Sequence, residues 1–500
     1  MSGDGVLTVL LLAVPLAGSL IVLTLSPRRA VPYAAGVTGV TLLLAVTLAA
    51  TFDYGHTGRV QQSVNWSWVP AIGLRFHLGV DGISLPLVLL TALLCALCAV
   101  YTLRPSARPA RPRAFVSLLL LIEVGMLGTF VAFDLLLFFV FFEVVLLPMY
   151  GLIAGWGGPG RAAAARQFIL YTLLGSGVLL VGLLLLATQT GTLDMVELAA
   201  RHGAGLSRVV QTLGFLAIAG GLAVKAPMWP LHTWLPDAHS EAPTVGSVLL
   251  AGVLLKMGTY GLVRIAVPML PEGAHRLAPF LGAFGVAGII YAGLACLGQR
   301  NLKRLVAFSS VGHMGFVLLG IATLTQVGIN AALFGNIAHG LITGLLFFLV
   351  GGVAERYGTT DMETLGGGLL TAAPRLGSLL VLAAVASLGL PGLAGFWGEM
   401  LGMFAAYQPA PGLNRGVYLV LLAVAGVGTV LTTGYFVAML RRVAQGTLPT
   451  RWRAVGFPDV TAYELAAWTP LVVLLVAAGL WPRLLLGLTG GAVRSLLGGV

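Results

Sequence analysis

The chain has 500 residues, of which 58% are hydrophobic and 9% charged, and its mean hydropathy of +0.98 means more apolar surface than a water-soluble protein of this size buries. A net charge of +11 could point to nucleic acid, but the arginines are scattered among short polar breaks and not gathered with aromatics on a soluble domain, which excludes that partner. What remains is an all-α polytopic membrane protein in contact with lipid.

Apolar runs of about 20 residues, each able to cross a ~30 Å hydrocarbon layer as a helix, recur from end to end, about fourteen in all. The first eight cover 6–25, 31–51, 80–102, 114–133, 134–153, 167–188, 211–236 and 244–266. The remainder cover 277–298, 303–325, 328–351, 374–408, 415–440 and 464–486. Arginine favours the loops after odd-numbered helices, as at Arg28, Arg29, Arg104 to Arg113, Arg300 to Arg304 and Arg441 to Arg453. The other loops hold chiefly Arg59, Arg75, Arg201, Arg208 and Arg276. By the positive-inside rule both termini face outward from a bacterial inner membrane. The start Met1-Ser-Gly-Asp-Gly lacks a basic segment and a small-residue cleavage site, so the first apolar run reads as a retained helix. Cys95, Cys98 and Cys296 fall inside apolar helices and read as small filler, since nothing around them stabilises a thiolate.

After the sixth run the chain reads Gly191-Thr-Leu-Asp194-Met-Val-Glu-Leu198, and after the eleventh Gly358-Thr-Thr-Asp361-Met-Glu-Thr-Leu365, identical at five of eight positions. Each octet precedes an apolar segment broken by proline and glycine, around Pro227 and Pro230 in one case and Gly389, Pro391 and Gly392 in the other. Two landmarks at nearly one offset predict a duplicated five-helix unit, 114–266 and 267–441, flanked by three helices in 1–113 and one in 442–500. An odd number of helices per unit makes the second copy enter the membrane from the opposite side, so the repeats are inverted, each with one broken helix. Helix kinks without further meaning are the plainer reading, but both breaks lie close to ionisable residues.

Two of the three lysines, Lys225 and Lys256, stand inside apolar stretches of a chain that otherwise uses arginine. A buried lysine can release its proton and an arginine cannot, so this choice points to proton handling. Asp81 and Asp134 lie at predicted helix starts, where the helix dipole explains a carboxylate. Glu123, Glu143, Lys225, Lys256 and Glu399 lie deeper, and at roughly 2.5 to 3.5 kcal/mol each they are costly if left unpaired; one acid and one base could be a structural ion pair, but five groups on five helices look more like a relay. Glu143 and Lys225 are expected partners, the carboxylate stabilising the ammonium and its withdrawal releasing the proton. Lys256, Tyr260 and Arg264 form a polar stripe at i, i+4 and i+8, suited to the middle of a path. Lys303, Ser310 and His313, then Asn336, His339 and Thr343, form further stripes that carry the path into the second unit, with Glu399 as its exit-side acid. A lone membrane histidine is otherwise a helix–helix hydrogen bond. His232 and His239 with Asp237 and Glu241 could suggest a metal, but a spacing of seven around Pro236 does not match a zinc helix, so a polar loop closing the cavity is expected. No phosphate loop, dinucleotide fingerprint, haem ligand pair or iron–sulfur cysteine set is present, so no cofactor is expected in this chain.

The segment Lys225-Ala-Pro-Met-Trp-Pro-Leu-His-Thr-Trp-Leu-Pro-Asp-Ala-His239-Ser-Glu-Ala-Pro243, with Leu254-Leu-Lys256-Met-Gly-Thr-Tyr-Gly261, resembles the antiporter-like membrane subunits of proton-pumping NADH:quinone oxidoreductase, respiratory complex I. Phe141-Phe-Glu143 with Pro148, and Gly395-Phe-Trp-Gly-Glu399, resemble the subunit M branch, where the last acid is glutamate and not the lysine of sister subunits L and N. The stop soon after the fourteenth run likewise differs from the long lateral helix of subunit L. The resemblance implies a proton path of two half-channels built on Glu143, Lys225, Lys256, His313, His339 and Glu399. It also implies sister subunits L and N as neighbours, with flavin, iron–sulfur clusters and quinone in partner subunits. A subunit of a multi-chain cation/proton antiporter or membrane-bound hydrogenase shares the fold and is the main alternative. A stand-alone secondary transporter and an intramembrane metalloenzyme on His232 and His239 are the readings from other classes.

Overall fold

The computed structural model describes residues 5–453 and 458–498, so Met1 to Asp4, part of the retained-helix reading, lie outside the described residues. Helices α1 (Val6–Ile21) and α2 (Pro27–Ala50) open the chain. Pro27 stands in the first turn of α2, where a missing N–H costs nothing. Next comes an antiparallel hairpin, β1 (Gln61–Val69) and β2 (Leu74–Val80), turning through Gly73 at φ +70. This hairpin is a small addition between the spans of an otherwise helical membrane protein. Its tryptophans, valines and phenylalanine suit a pleated surface, and the run is too short and polar to cross a bilayer.

Helices α3 (Ser84–Thr102) and α4 (Pro112–Val131) follow, then α5 (Leu135–Val144) and α6 (Leu146–Trp156), which together make one crossing. Next are α7 (Arg161–Thr190), the short α8 (Met195–Arg201) and α9 (Arg208–Lys225). The chain leaves the helix after Lys225 and resumes as α10 (Trp234–Glu241), so the expected run 211–236 is cut inside its length. The next crossing, Thr244–Met269, joins α11 (Thr244–Leu249), α12 (Leu255–Gly261) and α13 (Val267–Met269) through π-helical turns at Leu250–Leu254 and Leu262–Ala266.

The second half holds α14 (Pro271–Leu297), α15 (Leu302–Ala322), α16 (Gln326–Tyr357) and the short α17 (Met362–Leu365) and α18 (Leu369–Ala372). The expected run 374–408 divides into α19 (Pro374–Ser387) and α20 (Ala394–Tyr407). Gly389 (φ +73) and Gly392 (φ +95) turn the chain between them in a conformation that L side chains resist. After α21 (Arg415–Val443) and α22 (Thr450–Arg453), the last crossing α23 (Ala462–Leu480) ends sooner than expected. It is followed by a separate helix, α24 (Arg483–Leu496). Among the described residues thirteen helices are long and apolar enough to cross a membrane, and the broken pair α19 and α20 supplies the remaining expected span.

The caps are legible residue by residue. Asp134 accepts from Leu136 and Leu137, Asp194 from Val196 and Glu197, and Asn301 from Arg304, each tying down orphan N–H groups of a first turn. Two short backbone ladders join these caps. Leu135 N–H donates to Leu193 O (2.9 Å) and Met195 N–H to Phe133 O (2.8 Å). Leu302 N–H donates to Thr360 O (2.8 Å) and Met362 N–H to Arg300 O (2.8 Å), each position 167 residues beyond its counterpart (302 − 135, 360 − 193).

Inside, glycines let helix backbones touch, as membrane helices require in place of a hydrophobic drive. A Cβ on Gly221 would lie 2.5 Å from Gly175 O, joining α9 to α7, and one on Gly398 2.6 Å from Gly335 Cα, joining α20 to α16. The crossing Thr244–Met269 is wholly enclosed by the others, whereas α2 and α21 are largely exposed. Lys256 therefore sits in the most deeply buried span.

Candidate proton-relay site

Lys225 ends α9, where the helix dipole favours a cation. Its side chain is 2% exposed, and Nζ lies 4.5 Å from the centroid of the Phe142 ring with no hydrogen-bond partner. Glu143 is half-buried and accepts the Ser176 hydroxyl on α7. The expected Glu143–Lys225 contact is thus not formed. Phe142 and Glu143 are successive residues about 100° apart around α5, so the ring turns to Lys225 while the carboxylate turns to α7.

At the centre, Lys256 Nζ lies 2.5 Å from His339 Nδ1 on α16 and donates to the carbonyl of Ala251, five residues back in the π-helical turn. The rings of His339 and His313 stand 5.7 Å apart, and His313 Nδ1 is 2.8 Å from Glu399 Oε1 on α20. His313 Nε2 is 2.8 Å from the Ser387 hydroxyl at the end of α19. A small cavity, of about 20 Å³, is lined by His313, His339, Thr343, Ser387 and Glu399. The structure thus brings Lys256, His339, His313 and Glu399 into one line leading to the second helix break.

The other expected groups stand apart from that line. Glu123 is fully buried and neither carboxyl oxygen has a partner. Arg264 does not extend the path from Lys256. It forms a two-pronged ion pair with Asp81 at 2.6 and 2.7 Å, with Tyr260 beside it, so Asp81 both caps the start of α3 and neutralises a buried guanidinium. Lys303 donates to Ala242 O at 2.7 Å.

Two polar residues beside the line were not expected there. His239, expected in a closing loop, lies in α10, fully buried, with both ring nitrogens unpartnered and its ring stacked 4.6 Å from Phe347. It is in electrostatic range of Lys256, Lys303 and His339, which places it beside the central line. Ser387 carried no signal beyond its place just before Gly389 and Pro391. Among the described residues no group of three metal-ligating side chains is assembled, and His232 packs its ring 5.0 Å from Tyr291.

A helical membrane protein with broken crossings and a buried lysine–histidine–glutamate line defines an antiporter-like membrane subunit. The family described as NADH:quinone oxidoreductase/Mrp antiporter transmembrane region matches residues 132–432. NADH-quinone oxidoreductase subunit M of Rhodobacter capsulatus is 39% identical over 470 residues, covering 92% of this chain and 89% of that protein. NAD(P)H-quinone oxidoreductase chain 4 1 of Synechococcus sp. (strain JA-2-3B'a(2-13)) is 43% identical over 448 residues, covering 88% and 83%. A chain in the structure of respiratory complex I from Thermus thermophilus with bound NADH superposes with a TM-score of 0.87 at 30% identity, covering 98% of this chain and 100% of that one. The Mrp complex from Dietzia sp. DQ12-45-1b has a chain at TM-score 0.85 and 25% identity, covering 100% and 98%. The chain belongs to the subunit M (chain 4) family of NADH:quinone oxidoreductase.

Proposed function

We propose that this chain translocates protons as a membrane-arm subunit of respiratory NADH:quinone oxidoreductase in a bacterial inner membrane, moving them along Glu143, Glu123, Lys225, Lys256, His339, His313 and Glu399. The observation that carries this reading is the series Lys256, His339, His313, Glu399, hydrogen-bonded at its two ends and joined in the middle by two histidine rings 5.7 Å apart. Each member can hold or release a proton, and each stands within contact or one ring of the next. His239 stands beside the series, within electrostatic range of Lys256. The lysine at the end of α9 has no acceptor, and Glu143 is turned to Ser176, which we read as the releasing position of a switch that closes when the carboxylate swings toward Lys225.

In this reading the two ladders 167 residues apart are the matching corners of two inverted repeats, 114–266 and 267–441, each supplying one half-channel. Both termini face outward, following the arginine distribution. Sister antiporter-like subunits L and N are the expected neighbours. Flavin, iron–sulfur clusters and quinone, in other subunits, supply the redox energy, and this chain contributes the conduit.

The test is proton translocation per electron in inverted membrane vesicles carrying the whole complex. Lys225→Ala, Glu143→Ala and His313→Ala are expected to assemble and to lose coupled translocation, and normal translocation in any one of them would end the relay reading. The likeness to the Mrp complex chain favours a second reading, a subunit of a cation/proton antiporter. Purification through a tag on this chain separates the two, since flavin and iron–sulfur partners support the oxidoreductase and their replacement by antiporter subunits supports ion exchange.

A further inference from the structure

His313 is held at both ring nitrogens, Nδ1 by Glu399 Oε1 and Nε2 by Ser387 Oγ, each at 2.8 Å. An ionised carboxylate only accepts, so it keeps a hydrogen on Nδ1 and leaves Nε2 of the neutral ring as the acceptor of the Ser387 hydroxyl. When the ring takes a second proton on Nε2, both nitrogens donate. The Ser387 oxygen must then accept, and its own hydrogen turns toward the cavity that Ser387, His339 and Thr343 line. A hydroxyl meets both demands by rotating about one bond, with no covalent change. Ser387 is 2% exposed and is the last residue of α19 before the break, so its position follows the break directly.

We propose that Ser387 is a positioning residue for the relay, satisfying His313 Nε2 in both protonation states and tying the proton load of His313 to the geometry of the broken helix. The inference rests on the relay reading above. The other ionisable groups facing His313 are Glu399 from α20 and His339 from α16, with Lys256 behind His339 and Tyr435 of α21 in electrostatic range of Glu399.

The experiment measures proton translocation per electron against pH in vesicles carrying the assembled complex with Ser387→Ala, Ser387→Thr and His313→Ala. A hydrogen bond to a charged donor is about twice as strong as one to a neutral group, so alanine penalises the protonated ring more than the neutral one. The alkaline limb of the Ser387→Ala profile is expected to move toward lower pH by about one unit, a tenfold change in proton occupancy. Ser387→Thr, which keeps the hydroxyl, is expected to restore it. A uniform loss with no shift, an unchanged profile, or a threonine variant as defective as alanine would overturn the proposal. If Ser387→Ala does not assemble, Ser387→Cys keeps the size with a weaker donor and must show the same shift. Normal translocation in His313→Ala would instead remove the relay reading itself, and failure of Ser387 alone leaves that reading standing.

Discussion

Gly258→Ala tests whether the spacing between the two lysine-bearing segments sets the rate. Gly258 lies two residues after Lys256, and its face of α12 presses on Leu222 of α9 and on Ala226, the residue that follows Lys225. An added Cβ would stand 2.7 Å from both Ala226 N and Leu222 O and 2.9 Å from Ala226 Cβ. Ordinary contact begins at 3.4 Å, so the segments must part by 0.7 Å (3.4 − 2.7), and the obstructing atoms are backbone that cannot turn aside. Overpacking of this kind costs about 1–3 kcal/mol, while glycine to alanine inside a helix returns roughly 1 kcal/mol. Gly220→Ala is the matched control, because it carries the same propensity change with nothing within 4 Å of its Cβ. The melting temperature of the purified complex is expected to be lower for Gly258→Ala than for Gly220→Ala by an amount equivalent to about 1–3 kcal/mol. Proton steps depend steeply on distance, a ~1 Å misplacement costing about a hundredfold. Translocation is therefore expected to fall by roughly tenfold or more in Gly258→Ala and to stay normal in Gly220→Ala. Equal stability and equal translocation in the two variants would refute the argument.

Asp81→Ala leaves the Arg264 guanidinium buried without its counter-charge and is expected to cost about 3–5 kcal/mol, read as lost assembly or a lower melting temperature. Replacing both residues by apolar ones of similar volume should recover most of that loss. Thr259→Val removes the 2.9 Å hydrogen bond to Asn336, whose amide nitrogen already lacks a partner, and should destabilise the complex by about 1–3 kcal/mol. Lys256→Arg keeps the positive charge but cannot release a proton, so the complex should assemble with translocation abolished in a pH-gradient assay. Wild-type translocation by that variant would contradict proton release at Lys256.

The apolar runs were legible in the sequence because a bilayer demands long uninterrupted helices, and the two breaks because proline and glycine announce them. Lys256, His313, His339 and Glu399 could be picked out because an ionisable side chain is costly in such runs, although nothing in their spacing showed that four helices would align them. Glu143 and Lys225 stand within electrostatic range but are not bonded, a matter of side-chain direction, where one residue around α5 decides which helix is faced. His239 was hidden by Pro236, which reads as a loop former yet lies within the short helix α10. The hairpin escaped because its alternation of aromatic and polar residues is weak beside the surrounding hydrophobic runs. The Asp81–Arg264 pair joins residues 183 apart, a separation no local pattern reports.

The 167-residue offset of the backbone ladders can also be applied to side chains. Glu143 and Ser176, bonded in the first half, map onto Ser310 and Thr343, while Asp194 maps onto Asp361 and Gly191 onto Gly358. On the duplication proposed above, the corner residues that shape the chain have kept their identity, and the acid that moves charge has given way to a hydroxyl. The frame therefore dictates where a carrier can stand and is indifferent to which carrier stands there. Such a protein can exchange its conducting groups between halves, or shed them from one, without redrawing the path of its backbone.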